Sequence, residues 1–222
     1  MGDSIKINTD GLHCIGAYLA RPQGAPKGGI VVVQEIFGVN AHIRDVVDHF
    51  AALGYTAIAP AFFDHVEADV ELGYGEESSK HGRALVGEIG FDTALEDVAS
   101  AAEAIRSSGK IGVVGYCWGG TVALLSAARL GFPAVSYYGA RNVAFLGEPL
   151  RAAVQFHFGE RDASIPAEAV QRHRATYPDM EVFTYPAGHA FNRDVDTGHY
   201  DAASARLALD RTLAFFARNL LP

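Results

Sequence analysis

Short apolar segments typical of buried strands alternate along this chain with longer segments of helical periodicity. The strand-like segments lie at residues 30–33, 55–59, 111–114, 134–138, 153–158 and 181–185. The helix-like segments lie at residues 42–53, 91–106, 121–130, 166–175 and 202–219. Because strands that alternate with helices form a mostly parallel sheet covered by helices on both faces, we predict an α/β fold.

The N-terminal region follows a different pattern. Two β-like segments, 4–8 and 14–20, flank an Asp-Gly pair at residues 10–11, which is a strong signal for the turn of an antiparallel hairpin. Residues 61–76 are polar and contain glycine, so we predict an irregular excursion there. No internal repeat or low-complexity linker divides the chain, and we predict one domain over residues 1–222.

The bulk composition argues against several classes of partner. The 222 residues are 49% hydrophobic, enough for a large core, and the net charge of −8 comes without a basic stripe that would suit nucleic acid. Neither a run of about 18 apolar residues nor a secretory signal is present, so we expect no membrane partner. Two cysteines, Cys14 and Cys117, are too few for a disulfide framework. We therefore expect a cytoplasmic protein, and a monomer.

The stretch GYCWGG at residues 115–120 carries the strongest functional signal. In α/β-hydrolases, Gly-x-Ser-x-Gly between a strand and a helix holds the nucleophile on a sharp turn, and here Cys117 takes the place of the serine. The glycines remove side chains that would clash in the turn, and the start of a helix favours an anion. We predict that Cys117 is an exposed nucleophile. The alternatives are a buried core cysteine or a redox thiol, which would need Cys14, predicted to be remote, as its partner.

A nucleophile of this kind needs a base and an orienting acid, which follow it in that fold in the order nucleophile, acid, histidine. Asp162 lies in FHFGERDASIP, just past the strand that ends at residue 158, and His189 lies in YPAGHAFNRD, just past the strand that ends at residue 185. Open α/β sheets place their sites at these strand ends. We predict both residues in the site, with Glu160 as the alternative acid. A turn role for Asp162 and a surface position for His189 remain open.

The stretch VVVQEIFGVN leaves the first central strand and contains a carboxylate, Glu35, in an unusual place. A carboxylate close to Cys117 would oppose formation of the thiolate by like-charge repulsion. We therefore predict that Glu35 keeps the thiol neutral until a substrate arrives, unless it is a solvent-facing loop residue. We also expect Phe37, Tyr137 and Tyr138 to line the pocket, the alternative being ordinary packing at strand ends.

Five motifs in order, QEIFGVN, GYCWGG, YYG, RDASIP and GHAFNR, resemble those of the dienelactone hydrolases, or carboxymethylenebutenolidases. The resemblance covers the chain from about residue 30 to the C-terminal helix. It implies a single-domain α/β-hydrolase fold and a triad of Cys117 as nucleophile, His189 as base and Asp162 as orienting acid. The family's glutamate beside the cysteine falls on Glu35.

The same resemblance implies the binding groups. The oxyanion N–H groups fall on Ile36 and Trp118, and the arginine that binds the substrate carboxylate falls on Arg193. A second carboxylate-binding arginine precedes the long helix in these enzymes. Arg83 is the nearest candidate here, the alternative being a solvated helix residue. Trp118 is bulkier than the aliphatic residue expected at its position.

These features predict a hydrolase that opens an unsaturated, dienelactone-like lactone or cleaves a small carboxylate-bearing ester through an acyl-thioester intermediate. The resemblance links such an activity to aromatic degradation. No motif for a metal or a nucleotide is present, so we expect no cofactor and only a small lactone or ester as partner. Two alternatives remain open: a general carboxylesterase without carboxylate selectivity, and a weakly catalytic lactone-binding receptor.

Overall fold

A computed structural model describes residues 1–9 and 13–221, which contain a single eight-stranded sheet. The strands are β1 (Asp3–Thr9), β2 (His13–Ala20), β3 (Gly29–Val33), β4 (Thr56–Pro60), β5 (Ile111–Tyr116), β6 (Ala134–Tyr137), β7 (Val154–Gly159) and β8 (Glu181–Tyr185). Their order across the sheet is β1-β2-β4-β3-β5-β6-β7-β8. β1 pairs antiparallel with β2, and β2 with β4, whereas the remaining pairs are parallel. The predicted α/β class, with its antiparallel N-terminal hairpin, is confirmed. The predicted Asp-Gly turn lies outside the described residues.

In the same described residues, five α-helices accompany the sheet. They are α1 (Ala41–Ala52), α2 (Glu76–Ala104), α3 (Trp118–Leu125), α4 (Ala167–Thr176) and α5 (Ala202–Leu220). Residues of β5 show that helices cover both faces, because neighbours along a strand point to opposite sides. A Cβ at Gly112 would meet Phe216 of α5, whereas a Cβ at Gly115 would overlap the backbone of α3. No helix in the described part of the chain is long and apolar enough to cross a membrane.

The centre of the sheet brings the loops of the site together. Every residue of β3 and β4 is buried, which is typical of parallel strands covered on both faces. Val33 at the end of β3 pairs with Gly115 near the end of β5. The loop after β3 and the turn after β5 therefore leave the sheet side by side, at the carboxyl ends of the parallel strands.

The helix predicted over 91–106 is in fact much longer and begins at Glu76. Gly90, with φ of 70°, interrupts it, and the half before Gly90 buries Leu85, Val86 and Ile89. Glycine at 82, 87 and 90 hides the helical periodicity of this half, which explains why the sequence pattern did not reveal it. A Cβ at Gly82 would overlap the Ile36 carbonyl oxygen, so this glycine lets α2 lie directly against the loop after β3.

Candidate active site

Cys117 occupies the sharp turn between β5 and α3. Its backbone has φ of 55° and ψ of −113°, a conformation that residues other than glycine rarely adopt. A Cβ at Gly115 would overlap Gly119, and one at Gly119 would overlap the backbone at the end of β3, so both glycines are required by the turn. Cys117 is partly exposed and lines a cavity. The alternative of a fully buried core cysteine is wrong.

His189 and Asp162 form a tightly hydrogen-bonded pair in the loops after β8 and β7. The Nδ1–H of His189 donates to Asp162 Oδ2 at 2.6 Å, and the other carboxylate oxygen accepts the Ser164 N–H at 2.8 Å. The Asp162 side chain is fully buried, whereas that of His189 is 25% exposed. Glu160, the alternative acid, is exposed and has no contact with His189 among the described hydrogen bonds.

The environment of His189 favours its protonated form. Burial of the ring opposes protonation, but the hydrogen bond to Asp162 and the interaction with the Cys117 thiol outweigh burial and raise the pKa of His189 to about 10. The imidazole thus lies between the carboxylate on one side and the sulfur on the other. A nucleophile whose base is oriented by a carboxylate requires such an arrangement.

Glu35 lies buried in the loop after β3 and pairs with Arg193 rather than with the thiol. Its two carboxylate oxygens accept from Arg193 Nη1 at 3.3 and 3.1 Å, and its residue exposure is only 2%. In the described structure Glu35 has no hydrogen bond to Cys117. The alternative of a solvent-facing Glu35 is wrong, whereas its effect on the thiol stays a prediction for a carboxylate that is paired with Arg193.

Arg193 is enclosed by groups of the chain itself. Its Nη2 donates to Asp196 at 2.6 Å, and its guanidinium lies 4.2 Å from the ring centre of Tyr74 and 5.4 Å from that of Phe37. Burial disfavours the charge, but Glu35 and Asp196 outweigh it and raise the pKa of Arg193. Asp196 also accepts from His199 at 2.8 Å. Two of its nitrogens are thus already bound to carboxylates of the chain, whereas Nε has no described partner.

The two oxyanion residues predicted from the resemblance border Cys117. Ile36 follows Glu35, and Trp118 is the first residue of α3, whose N-terminal amides have no acceptor within the helix. Neither amide donates to a described acceptor. The Trp118 indole packs against Phe62 and Phe91 at 5.5 and 6.2 Å between ring centres, so the bulky side chain is accommodated by the core.

These residues line a cavity of about 310 Å³ at the carboxyl ends of the strands. Its wall includes Glu35, Ile36, Phe37, Tyr74, Ser79, Arg83, Val86, Cys117, Trp118, Ala140, Arg141, Ser164, His189, Arg193 and His199. The predictions for Phe37 and Arg83 as lining residues are thus consistent with the cavity wall.

The expectation that Tyr137 and Tyr138 line the pocket is wrong. Tyr137 is 1% exposed and its hydroxyl is 2.7 Å from Thr212 Oγ1, in a buried network outside the cavity. Tyr138 is fully buried and lies behind the His189 ring, with 5.0 Å between ring centres. Both pack at strand ends, and Tyr138 supports the imidazole instead of meeting a ligand.

Several lining residues had no signal that sequence reasoning used. Tyr74 and Ser79 come from a segment predicted to be irregular or left unassigned, and Arg141 follows the YYG motif without a pattern of its own. Asp196 and His199 follow Arg193 at intervals of three residues, a spacing that could have indicated the ion pairs they form.

The fold and this cavity define the class of the protein. A mostly parallel sheet with a cysteine on a strained turn between β5 and α3, and a His–Asp pair in the loops after β8 and β7, are the features of an α/β-hydrolase.

Comparison with known proteins narrows the class. The model of the dienelactone hydrolase family matches residues 15–220. A carboxymethylenebutenolidase from Pseudomonas putida is 34% identical, over 97% of this chain and 96% of its own length, and carboxymethylenebutenolidase 1 from Cupriavidus pinatubonensis is 29% identical, over 98% and 97%. A crystal structure from Klebsiella pneumoniae, assigned as a dienelactone hydrolase, superposes with a TM-score of 0.87 at 32% identity over 98% of both chains. The chain belongs to the dienelactone hydrolase family and is a hydrolase of ester or lactone bonds.

Proposed function

We propose that this hydrolase opens a lactone or cleaves a small ester by nucleophilic attack of Cys117, with His189 as acid and base and Asp162 as the group that orients His189. The observation that carries the proposal is the 2.6 Å hydrogen bond from His189 to Asp162, on a ring that also interacts with the thiol. The order of the three residues along the chain is the one that this fold uses.

The first step begins from the thiolate–imidazolium pair. The raised pKa of His189, about 10, supports a proton residing on the imidazole at neutral pH, and in this proposal the protonated ring faces a Cys117 thiolate. The thiolate attacks the carbonyl carbon, and the carbonyl oxygen gains the negative charge. In this proposal the amides of Ile36 and Trp118, which donate to no described acceptor, stabilise this oxyanion, and one such donor typically contributes about 3 kcal/mol to lowering the barrier.

The tetrahedral intermediate then collapses. The bond from the carbonyl carbon to the ring or ester oxygen breaks, and His189 gives its proton to the leaving oxygen, so an acyl-thioester on Cys117 and an alcohol or enol result. A water molecule subsequently attacks the thioester while neutral His189 takes its proton. The thiolate leaves, the carboxylic acid is released, and the imidazolium is restored.

The Glu35–Arg193 pair supports the walls of the cavity in this proposal. Because Glu35 immediately precedes Ile36, the ion pair anchors the loop that supplies one oxyanion amide. Binding of a substrate carboxylate to Arg193, as the resemblance implies, remains a prediction. A carboxylesterase without carboxylate selectivity uses the same triad and stays the second candidate.

Hydrolysis of a dienelactone, followed by the loss of its ultraviolet absorbance, tests the chemistry. We expect the wild type to turn over and Cys117→Ala to lose activity by several orders of magnitude, with an acylated Cys117 detectable by mass spectrometry after rapid quenching of the wild type. Arg206→Gln, an exposed change on α5, serves as the folded control. Retention of activity in Cys117→Ala would reject the nucleophile assignment.

A further inference from the structure

We propose that Arg141 is a specificity-determining residue that binds a carboxylate of the substrate on the side of Cys117 opposite to the Glu35–Arg193 pair. The inference rests on the proposed function, because it concerns the substrate of that same cavity. It assigns the selectivity for anionic esters to an arginine outside the motifs that indicated the site.

The charges that line the cavity are unbalanced in favour of cations. Three arginines, Arg83, Arg141 and Arg193, contribute to its wall, against one carboxylate, Glu35. The chain as a whole carries a net charge of −8. A local excess of cations on an acidic protein is expected where an anion binds, since like charges gathered without a partner are otherwise unfavourable.

Of these arginines, only Arg193 is neutralised by the chain itself. It has Glu35 on one nitrogen and Asp196 on another, and it is 6% exposed. The side chains of Arg83 and Arg141 have no ion pair and no hydrogen bond with any described residue, and both residues are exposed. Their donors are thus available to a ligand in the cavity without first breaking an internal contact.

Arg141 is presented from a rigid loop. It follows β6 and directly precedes Asn142, which is fully buried and donates to Ser136 Oγ at 3.1 Å. The Asn142 amide also fits against Gly139, where any Cβ would overlap it. Anchoring by the next residue restricts the backbone of Arg141, so less entropy is lost when its guanidinium binds an anion.

The order of the strands, together with the pairing of Arg193 to Glu35, places Arg141 away from the other two cations. β3 and β6 flank β5 on opposite sides, and Cys117 follows β5. The loop after β3 contains Glu35 and lies against α2 at Gly82, the neighbour of Arg83. Arg141 instead follows β6, and the neighbouring strand β7 leads into the loop that contributes Ser164 to the cavity. A carboxylate held there would extend past the nucleophile toward the His189 side.

Two para-nitrophenyl esters of equal acyl length test the assignment: the monoester of glutaric acid, which carries a carboxylate, and the pentanoate, which is neutral. The readout is the ratio of kcat/KM for the anionic ester to that for the neutral ester. We expect Arg141→Gln to lower this ratio about five- to tenfold, mainly through KM of the anionic ester, because a charge-assisted contact is lost. Arg141→Lys should keep part of the ratio, since the charge remains without the planar fork.

Arg206→Gln removes the same charge from an exposed position on α5 and should leave the ratio unchanged. An unchanged ratio in Arg141→Gln, an equal fall in Arg206→Gln, or a larger fall in Arg83→Gln than in Arg141→Gln would overturn the assignment. Failure of the proposed function would give a different result. In that case Cys117→Ala would still hydrolyse the neutral ester.

Discussion

At the scale of single residues, backbone strain gathers around the nucleophile. Among the described residues other than glycine, four have positive φ, and three of them, Cys117, Tyr138 and Ala190, belong to the site or adjoin it. Ala190 directly follows His189, and Tyr138 lies behind the imidazole. Such conformations persist only where surrounding packing enforces them, and they recur at functional sites. Here they fix the positions of the Cys117 sulfur and the His189 imidazole relative to each other.

The hydrogen bond from His189 to Asp162 carries the first prediction. In the wild type this bond, together with the interaction with Cys117, outweighs the burial that would otherwise lower the pKa of His189, and holds it at about 10. In Asp162→Asn the contribution of the carboxylate is lost and only that of Cys117 still opposes burial, so the pKa of His189 should fall. We expect kcat/KM to fall about a thousandfold or more, as for orienting acids in other triads.

Nuclear magnetic resonance of the histidine side chains checks this prediction. The His189 signal should titrate near its raised pKa in the wild type and well below it in Asp162→Asn. His157 provides an internal control, because burial lowers its pKa to about 3 and it should stay neutral in both proteins. A His189 signal that is already neutral in the wild type at neutral pH would contradict the proposed ion pair.

At the scale of elements, α2 places one wall of the cavity, and its two halves meet at a glycine. Gly90 has φ of 70° and ψ of −177°, a region open almost only to glycine. Gly87, one turn earlier, has helical geometry, is exposed, and has no atom near the position of an added Cβ. The two glycines therefore differ in backbone conformation and not in available space, since neither has a neighbour at the Cβ position.

This difference gives a matched pair of substitutions. Gly90→Ala should lower the free energy of unfolding by about 1–3 kcal/mol, because alanine must adopt a strained conformation there. Gly87→Ala should raise it by about 0.5–1 kcal/mol, because alanine is the better helix former. Urea denaturation followed by circular dichroism measures both. Equal effects in the two variants would show that the kink at Gly90 does not require glycine.

The residues of the site that follow strands could be predicted from the sequence, whereas those brought together by the packing of distant loops could not. Asp162 and His189 could be found because each follows a short apolar strand, and the end of a parallel strand is the place where this fold puts its site. Tyr74 and Arg141 could not be found, because their place in the cavity depends on how distant loops pack together. The pairing of Glu35 with Arg193 joins residues 158 positions apart, which no local pattern encodes.

At the scale of the whole molecule, a buried polar network joins two strands, β7 and β8, to the last helix. His157 of β7 lies at its centre, 2.6 Å from the Tyr185 hydroxyl and 2.9 Å from Gln155 Oε1, with Thr212 of α5 at 3.2 Å. Gln155 Oε1 can only accept, so Nε2 of His157 carries the hydrogen and Nδ1 accepts from the tyrosine. The network is thus satisfied by the neutral imidazole, and a second ring proton would face the Tyr185 hydroxyl in a fully buried site.

The last prediction concerns the stability of the molecule in acid. Burial lowers the pKa of His157 from 6.5 to about 3. Between these two pH values His157 is therefore protonated in the unfolded chain and neutral in the folded chain. Stability from this group is therefore complete above the unfolded pKa and is lost as pH falls from about 6.5 toward 3.

His157→Phe removes the group, so the free energy of unfolding should fall less steeply with decreasing pH than in the wild type, by up to one proton per molecule. Urea unfolding at a series of pH values measures that slope, which does not depend on the constant loss of stability caused by the substitution itself. Phe156→Leu, a buried change at the neighbouring position that removes no titratable group, is the control and should keep the wild-type slope. Identical slopes in wild type and His157→Phe would mean that His157 does not contribute to acid unfolding.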